Sequence, residues 1–314
     1  MFAIRCLGVS LAFFLLVYVV FSVAVVSGWR QVRRVGNRLS ARRLATLLFI
    51  LRSLPCAAAV LITLGFVLPS FLLLEPRVVA EPIGEIPLTL GACCVALFAA
   101  GAWNAIAAQM RTSRTVAGWL QGASAASGCD PVPLFRIRPS SPALTVSGWR
   151  QPRVLLSNAA AALLNQQELE SALRHEIAHV RRRDNLKKLI FRLCGFPGMA
   201  GLEAGWSEAA EMAADDAAVS NGGEALDLAS ALIKLSRFAP VHAATLTTGL
   251  VEDSGFGLNA RIARLVSWEE RRVPSRSLFP WYLAPTFAAC ILSMVVIYGG
   301  ALSRVHDLTE WLVR

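Results

Sequence analysis

His175-Glu176-Ile177-Ala178-His179 sets two imidazoles four residues apart with a carboxylate beside the first. An α-helix advances 3.6 residues per turn, so both rings leave one face about one turn apart and can share a divalent cation. Glu176 projects slightly round the cylinder, where it can take a proton from an attacking water and later return it to a leaving group. The surrounding sequence signals the helix itself. Asn165 and Glu168 have capping-box spacing, and Leu169, Leu173, Ile177 and Val180 form an apolar stripe. Arg181, Arg182 and Arg183 follow toward the C-terminal end, where positive charge complements the helix dipole.

A Zn²⁺ held by two histidines needs a third protein ligand. The histidines are His175, His179, His242 and His306, and His306 lies beyond the last apolar stretch. The better candidate is Glu211, within the Ala-rich run Trp206-Ser207-Glu208-Ala209-Ala210-Glu211-Met212-Ala213-Ala214-Asp215-Asp216, which reads as a second helix ending near Gly222 and Gly223. Asp215 stands one turn beyond Glu211, placed to accept the free N–H of a ligand histidine and fix its tautomer. Glu208 and Asp216 are rival ligands, and a solvated acidic stripe is the plainer account of the same residues.

Five ordered blocks carry a family resemblance: Pro142-Ala143-Leu144-Thr145-Val146-Ser147-Gly148, Pro152-Arg153-Val154-Leu155-Leu156-Ser157, Glu168-Leu169 leading into the HExxH pentad, Arg182-Arg183-Asp184, and Glu211-x-x-Ala214-Asp215. In these blocks the chain resembles the membrane-embedded gluzincin peptidases of the BlaR/MecR antibiotic-sensor type and, more distantly, the HtpX and CAAX-prenyl-protease group. The resemblance implies His175, His179 and Glu211 as zinc ligands, Glu176 as catalytic base and Asp215 as a supporting residue. It gives Asp184 no role. It also implies hydrolysis of peptide bonds in a protein substrate, with signal-dependent cleavage of a transcriptional repressor as one purpose and housekeeping removal of damaged membrane proteins as another. A noncatalytic zinc-fold scaffold is the reading outside enzymology. The sequence departs from the BlaR/MecR pattern in having only residues 304–314 after the last apolar stretch, so a signal is expected through short external loops, the spans or a sensor partner protein.

Two short β-rich runs, Leu144 to Val146 and Val154 to Leu156, are separated by Gly148 and Pro152 and predict a strand pair just before the helix. Its edge could hold an extended peptide by main-chain pairing, or the pair could be a purely structural hairpin. An oxyanion donor is less evident. Tyr18, Tyr282 and Tyr298 fall in or beside apolar segments, which leaves His242, Arg261 and Arg264 as candidates, against the plainer reading of a surface histidine and a basic amphipathic helix.

Hydrophobic residues make up 55% of the 314 residues and charged ones only 17%, outside the balance of soluble domains. Four stretches, about 6–28, 54–74, 87–108 and 281–303, are long enough to cross a hydrocarbon core of about 30 Å. The first is expected to be retained rather than cleaved as a signal, since its apolar core is long and no small-residue cleavage site follows. Arg30, Arg33, Arg34, Arg38, Arg42 and Arg43 between the first two stretches point to the cytoplasmic side, whereas Glu75, Arg77, Glu81 and Glu85 read as an external loop. Arg111, Arg114, Arg271, Arg272 and Arg276 then place the long intervening segment inside and both termini outside.

The expected fold is therefore mainly α. Residues 1–108 hold three spans joined by a basic internal loop 29–53, residues 109–280 form an inserted cytoplasmic zincin-like α+β metallopeptidase domain, and residues 281–314 hold the fourth span and an external tail. Within the inserted segment, 123–128 reads as a flexible join, and 189–205 as helical-hairpin core or as bilayer-packing surface. The expected setting is multi-pass in the cytoplasmic (inner) membrane, with the lipid bilayer and a protein substrate as partners. The net charge of +10 sits beside the spans and comes with no nucleic-acid motif, so nucleic-acid binding is not expected. None of the seven cysteines has zinc-ribbon or CxxC spacing, and thiols on the inner side are expected reduced.

Overall fold

Leucine, valine, alanine and phenylalanine dominate the first 120 residues, and the chain satisfies its backbone there by forming long helices. The computed structural model describes residues 2–36, 39–75, 84–126, 132–138, 143–237, 247–249, 255–268 and 298–310. Helix α1 covers Phe2–Gly36, and α2, Ala41–Ile62, continues through a π-helical turn, Thr63–Val67, into α3, Leu68–Leu74. Helix α4 covers Glu85–Leu120. Among the described residues, three helices, Phe2–Arg34, Ala41–Leu74 and Glu85–Leu120, are long and apolar enough to cross a membrane. Each spans about 50 Å at 1.5 Å per residue, well beyond a hydrocarbon core, so their polar ends extend past it.

The segment 29–53, expected as a loop, is helical on both sides of residues 37–40. Its arginines and leucines are good helix formers that prolong the apolar helices instead of ending them. The fourth expected span, 281–303, lies outside the described residues except for its end, where 298–310 is helical.

The chain forms two compact units. The first comprises Met1–Ser27, Ser53–Ala100 and Arg272–Arg314. Within it, α1 and α4 cross closely at Gly8 and Gly91, where a side-chain carbon on Gly91 would come within 3.3 Å of the Gly8 carbonyl oxygen. Pro69 has no N–H for the carbonyl four residues back, and that carbonyl, Gly65, instead accepts from the Tyr298 hydroxyl at 2.7 Å.

The second unit comprises Gly28–Arg52 and Gly101–Arg271. Its strands are β1 (Ser124–Ala126), β2 (Leu134–Ile137), β3 (Leu144–Ser147), β4 (Arg153–Ser157) and β5 (Thr247–Gly249), in the order β1-β2-β4-β3-β5. β2 and β4 run parallel, and the remaining neighbours are antiparallel. The expected strand pair is β3 and β4, with Val146 opposite Val154. Gly148 makes their turn possible: its φ is +93°, and a side-chain carbon there would lie 2.5 Å from the Gln151 carbonyl oxygen. Part of the expected flexible join is strand β1 rather than linker, because it pairs with β2.

The helices of this unit are α5 (Asn158–Leu163), α6 (Gln166–Arg182), α7 (Asp184–Leu193), α8 (Ala200–Ala218), α9 (Gly222–Leu235) and α10 (Gly255–Val266). Alternation along β4 sends Val154 and Leu156 into a core shared with Ala172 of α6, Leu228 and Leu232 of α9 and Leu265 of α10. Leu155 faces the other way, onto Val116 and Trp119 of α4. Helix α8 stops at Ala218, short of the expected end, and Gly222 instead opens α9 under an Asn221 cap. The apolar stretch 189–205 contributes to helix packing, with Phe191 buried edge-on against Trp206 and tilted against Phe49.

Candidate metal centre

Helix α6 is fixed at both ends before it presents its histidines. At its start the Asn165 side chain accepts from the Glu168 N–H at 2.8 Å while Glu168 accepts from the Asn165 N–H at 2.9 Å. Glu168 also accepts from Ser230 and Lys234 of α9, which ties the cap to the core. At its end Arg183 takes a left-handed conformation, φ 54°, and α7 starts at the next residue. That break turns the Asp184 carboxylate back onto the helix it has just left.

The His175 and His179 Nε2 atoms lie 3.2 Å apart. Glu211 of α8 reaches both, with one oxygen 3.5 Å from His175 Nε2 and the other 3.4 Å from His179 Nε2. One ligand atom from each of the three residues lies within 4.8 Å of the others, a group that could hold a metal ion. Each ring's Nδ1 faces its own carboxylate: Asp215 is 3.0 Å from His175 Nδ1, and Asp184 is 2.9 Å from His179 Nδ1. With protons on the Nδ1 atoms, both Nε2 lone pairs point at each other and at an anionic carboxylate. Acceptors converging this way are mutually repulsive unless a cation or proton sits among them, so the donor set fits Zn²⁺.

The electrostatics follow from that crowding. Burial opposes charge at each of these groups and is the largest single influence, but their mutual contacts outweigh it. The Glu211 carboxylate, the Asp184 contact and the nearby Glu176 push His179 up to about 10. His175 is raised by Asp215 and Glu211. Glu211 is held well below the usual carboxylate range by His179 and Arg261, Asp215 is lowered by Arg261, and Asp184 by His179. Glu176 is fully buried within this group.

Arg261 of α10 donates through Nε and Nη2 to the two Asp215 oxygens at 2.8 and 2.7 Å, and its Nη1 lies 3.0 Å from Glu211. It is buried, so the reading of this segment as a solvated basic helix fails at that position. Arg264 follows that reading more closely, pairing with Asp216 at the surface. Glu208 pairs with Arg33 at 2.6 Å, so both rival ligands have other partners. His242 lies outside the described residues.

Helix α8 is held in place from several sides. Arg52, almost wholly buried, donates to Glu203 at 2.9 Å and to the Phe191 carbonyl at 2.9 Å. Arg182 donates to the Ala210 carbonyl at 2.9 Å. Gly201 admits the Trp29 ring, which a side-chain carbon would meet at 2.9 Å. Of the two readings of the β3–β4 pair, a free edge for a peptide or a structural hairpin, the free edge is not offered by either strand, since β5 covers β3 and β2 covers β4.

Sequence reasoning gave Asp184 no role and weighed Arg261 only as an oxyanion donor, so neither was read as supporting the ligand set. Asp184 was visible in the Arg182-Arg183-Asp184 block, but its contact needs the break at Arg183. Arg261 was visible as one of three oxyanion candidates or as part of a basic amphipathic helix, and nothing local showed its pairing with Asp215 and Glu211.

Residues 138–269 match the model of Peptidase family M48, whose members are zinc metallopeptidases. No curated protein and no solved structure matches the chain. The matched stretch contains all three residues of the metal-ligating group and does not single out the BlaR/MecR type. Residues 138–269 are thus similar to the M48 metallopeptidases, and within them His175, His179 and Glu211 form the candidate metal-binding group.

Proposed function

We propose that this protein is an integral-membrane zinc endopeptidase that hydrolyses peptide bonds in a cytoplasmic or membrane-adjacent protein. The observation that carries the reading is the convergence of two Nε2 atoms and the Glu211 carboxylate, with each outer Nδ1 held by its own carboxylate. His175, His179 and Glu211 would hold the zinc, which when bound supplies Lewis acidity toward the attacking water and the scissile carbonyl. Glu176 is the proton carrier: its carboxylate takes a proton from the attacking water and delivers it to the departing amine. Asp215 and Asp184 keep the protons on Nδ1, so that both Nε2 lone pairs face the metal. Arg261 neutralises part of the negative charge that Glu211 and Asp215 concentrate in a buried place.

Three long apolar helices support the membrane setting, and the arginine-rich flanks of the peptidase segment support its placement on the cytoplasmic side. The test is the Glu176→Gln variant, purified with its membrane helices. It should retain zinc while proteolysis falls by about 10²–10⁴-fold, the range of general acid–base catalysis. Undiminished cleavage by that variant overturns the mechanism. Trapping with the same variant in membranes separates the two purposes: one regulator recovered, such as a repressor, points to signal-dependent cleavage, and many damaged membrane proteins point to quality control.

A further inference from the structure

A second group of metal-binding side chains lies within the first compact unit and shares no residue with the peptidase cluster. Glu75, just beyond the end of α3, His306 and Glu310 each offer one ligand atom within 4.8 Å of the others. His306 Nε2 is 3.9 Å from Glu75 and 3.7 Å from Glu310. His306 and Glu310 stand four apart on one helical stretch, the spacing that lets two side chains grip one ion. Glu75 comes from a separate element, so the group is a clamp between two helices rather than one acidic helix face.

The surroundings favour a cation at that place. Glu75 is partly buried, with one oxygen held by Arg5 at 3.0 Å while its other oxygen faces His306. Tyr298 anchors the helical stretch to the π-helical turn through its bond to the Gly65 carbonyl and its ring contact with Phe66. From that contact both helices advance to the cluster, so the approach of Glu75 and His306 is set by packing. The ligand gaps slightly exceed those around a bound ion. Glu310 stands on the solvent side of the group, half exposed.

We propose that Glu75, His306 and Glu310 form a second divalent-cation site of the zinc class, with one imidazole and two carboxylates joining the end of α3 to the stretch 298–310. Mixed nitrogen and oxygen donors of this kind suit Zn²⁺ or a neighbouring first-row ion better than Ca²⁺ or Mg²⁺.

The experiment is zinc titration of the full chain in lipid nanodiscs, with bound metal counted after equilibrium dialysis. Wild-type protein should bind two zinc ions per chain. The His306→Ala variant should bind one, and His175→Ala should retain the ion that His306→Ala loses. Glu310→Gln, altered at a half-exposed position that folding tolerates, should weaken that ion by at least about tenfold and leave the other unchanged. It decides the matter alone if His306→Ala does not fold. A wild-type count of one that His175→Ala abolishes, or a second ion that persists undiminished in Glu310→Gln, overturns the proposal and leaves the cluster as an ion-pair network.

Discussion

The two clusters offer similar chemistry on similar spacing and are built to different standards. His175 and His179 stand four apart on α6, as His306 and Glu310 do near the C-terminal end, and each pair is completed by a glutamate from another element. The peptidase pair is fully buried and each Nδ1 lies within 3.0 Å of its own carboxylate, whereas the His306 ring stands 3.9 and 3.7 Å from its carboxylates and Glu310 is half in solvent. Ordering a side chain costs free energy at the moment of binding, so the buried cluster has met that cost on folding and the other has not. A structural ion can bind loosely at the second. A site that directs a water and a scissile bond needs the first arrangement.

The largest break in this comparison is removal of a buried ligand. His175→Ala should lose the peptidase metal and all proteolysis, with metal analysis and cleavage of a protein substrate as the measurements. Next come the supporting carboxylates. Asp184→Asn should lower zinc affinity by about 10–100-fold. Asp215→Asn should cost as much and also destabilise the fold, because it leaves Arg261 buried with only part of its counter-charge. Losing one partner of a buried pair costs about 3–5 kcal/mol, visible in chemical denaturation. If Asp184→Asn left the affinity unchanged, the contrast between the clusters would lose its basis.

Acidity sharpens the same comparison. In metal-free protein a proton takes the cation's place at His179, whose value rises from 6.5 to about 10 on folding. A raised value means that this stabilisation is complete below about pH 6.5 and is lost as pH climbs toward 10. Glu211 is shifted the opposite way, so its contribution is present above its ordinary value of 4.5 and is lost as pH falls through the lower folded value. Melting of the metal-free protein should therefore weaken on the alkaline side, and bound zinc should remove that weakening. The smallest effects lie at the outer anchors of α8. Arg52→Ala, which removes a buried guanidinium from the part-exposed Glu203 and from the Phe191 carbonyl, should destabilise by about 1–3 kcal/mol. Arg33→Ala, whose pair with Glu208 is about 40% exposed, should cost less than about 1 kcal/mol.

Much of the candidate site was legible because its parts are local. The HExxH spacing places two rings on one face, and Glu211 and Asp215 repeat that spacing on the helix that meets it. The capping box at Asn165 and Glu168 and the pairing of β3 with β4 were equally local and appear as read. Asp184 escaped because helical periodicity cannot describe a residue beyond a left-handed break. Arg261 escaped because its partner lies 46 residues away. Whether the strand pair had a free edge stayed open for a related reason: β5 is three residues long and far from β3 in sequence, so no local pattern announces that it covers that edge. The segment 29–53 reads as a loop from its charge, yet arginine continues a helix well, so charge alone does not mark where the apolar helices end.

The sequence by itself determined the reaction class to look for, the two imidazoles and the long apolar helices, because these follow from repeats of a few residues and from composition. The tertiary structure alone decided which acids face the metal-binding nitrogens, which arginine compensates them and which strand edges are covered. Those outcomes depend on desolvated contacts between segments far apart in the chain, and such contacts leave no periodic trace in the order of residues.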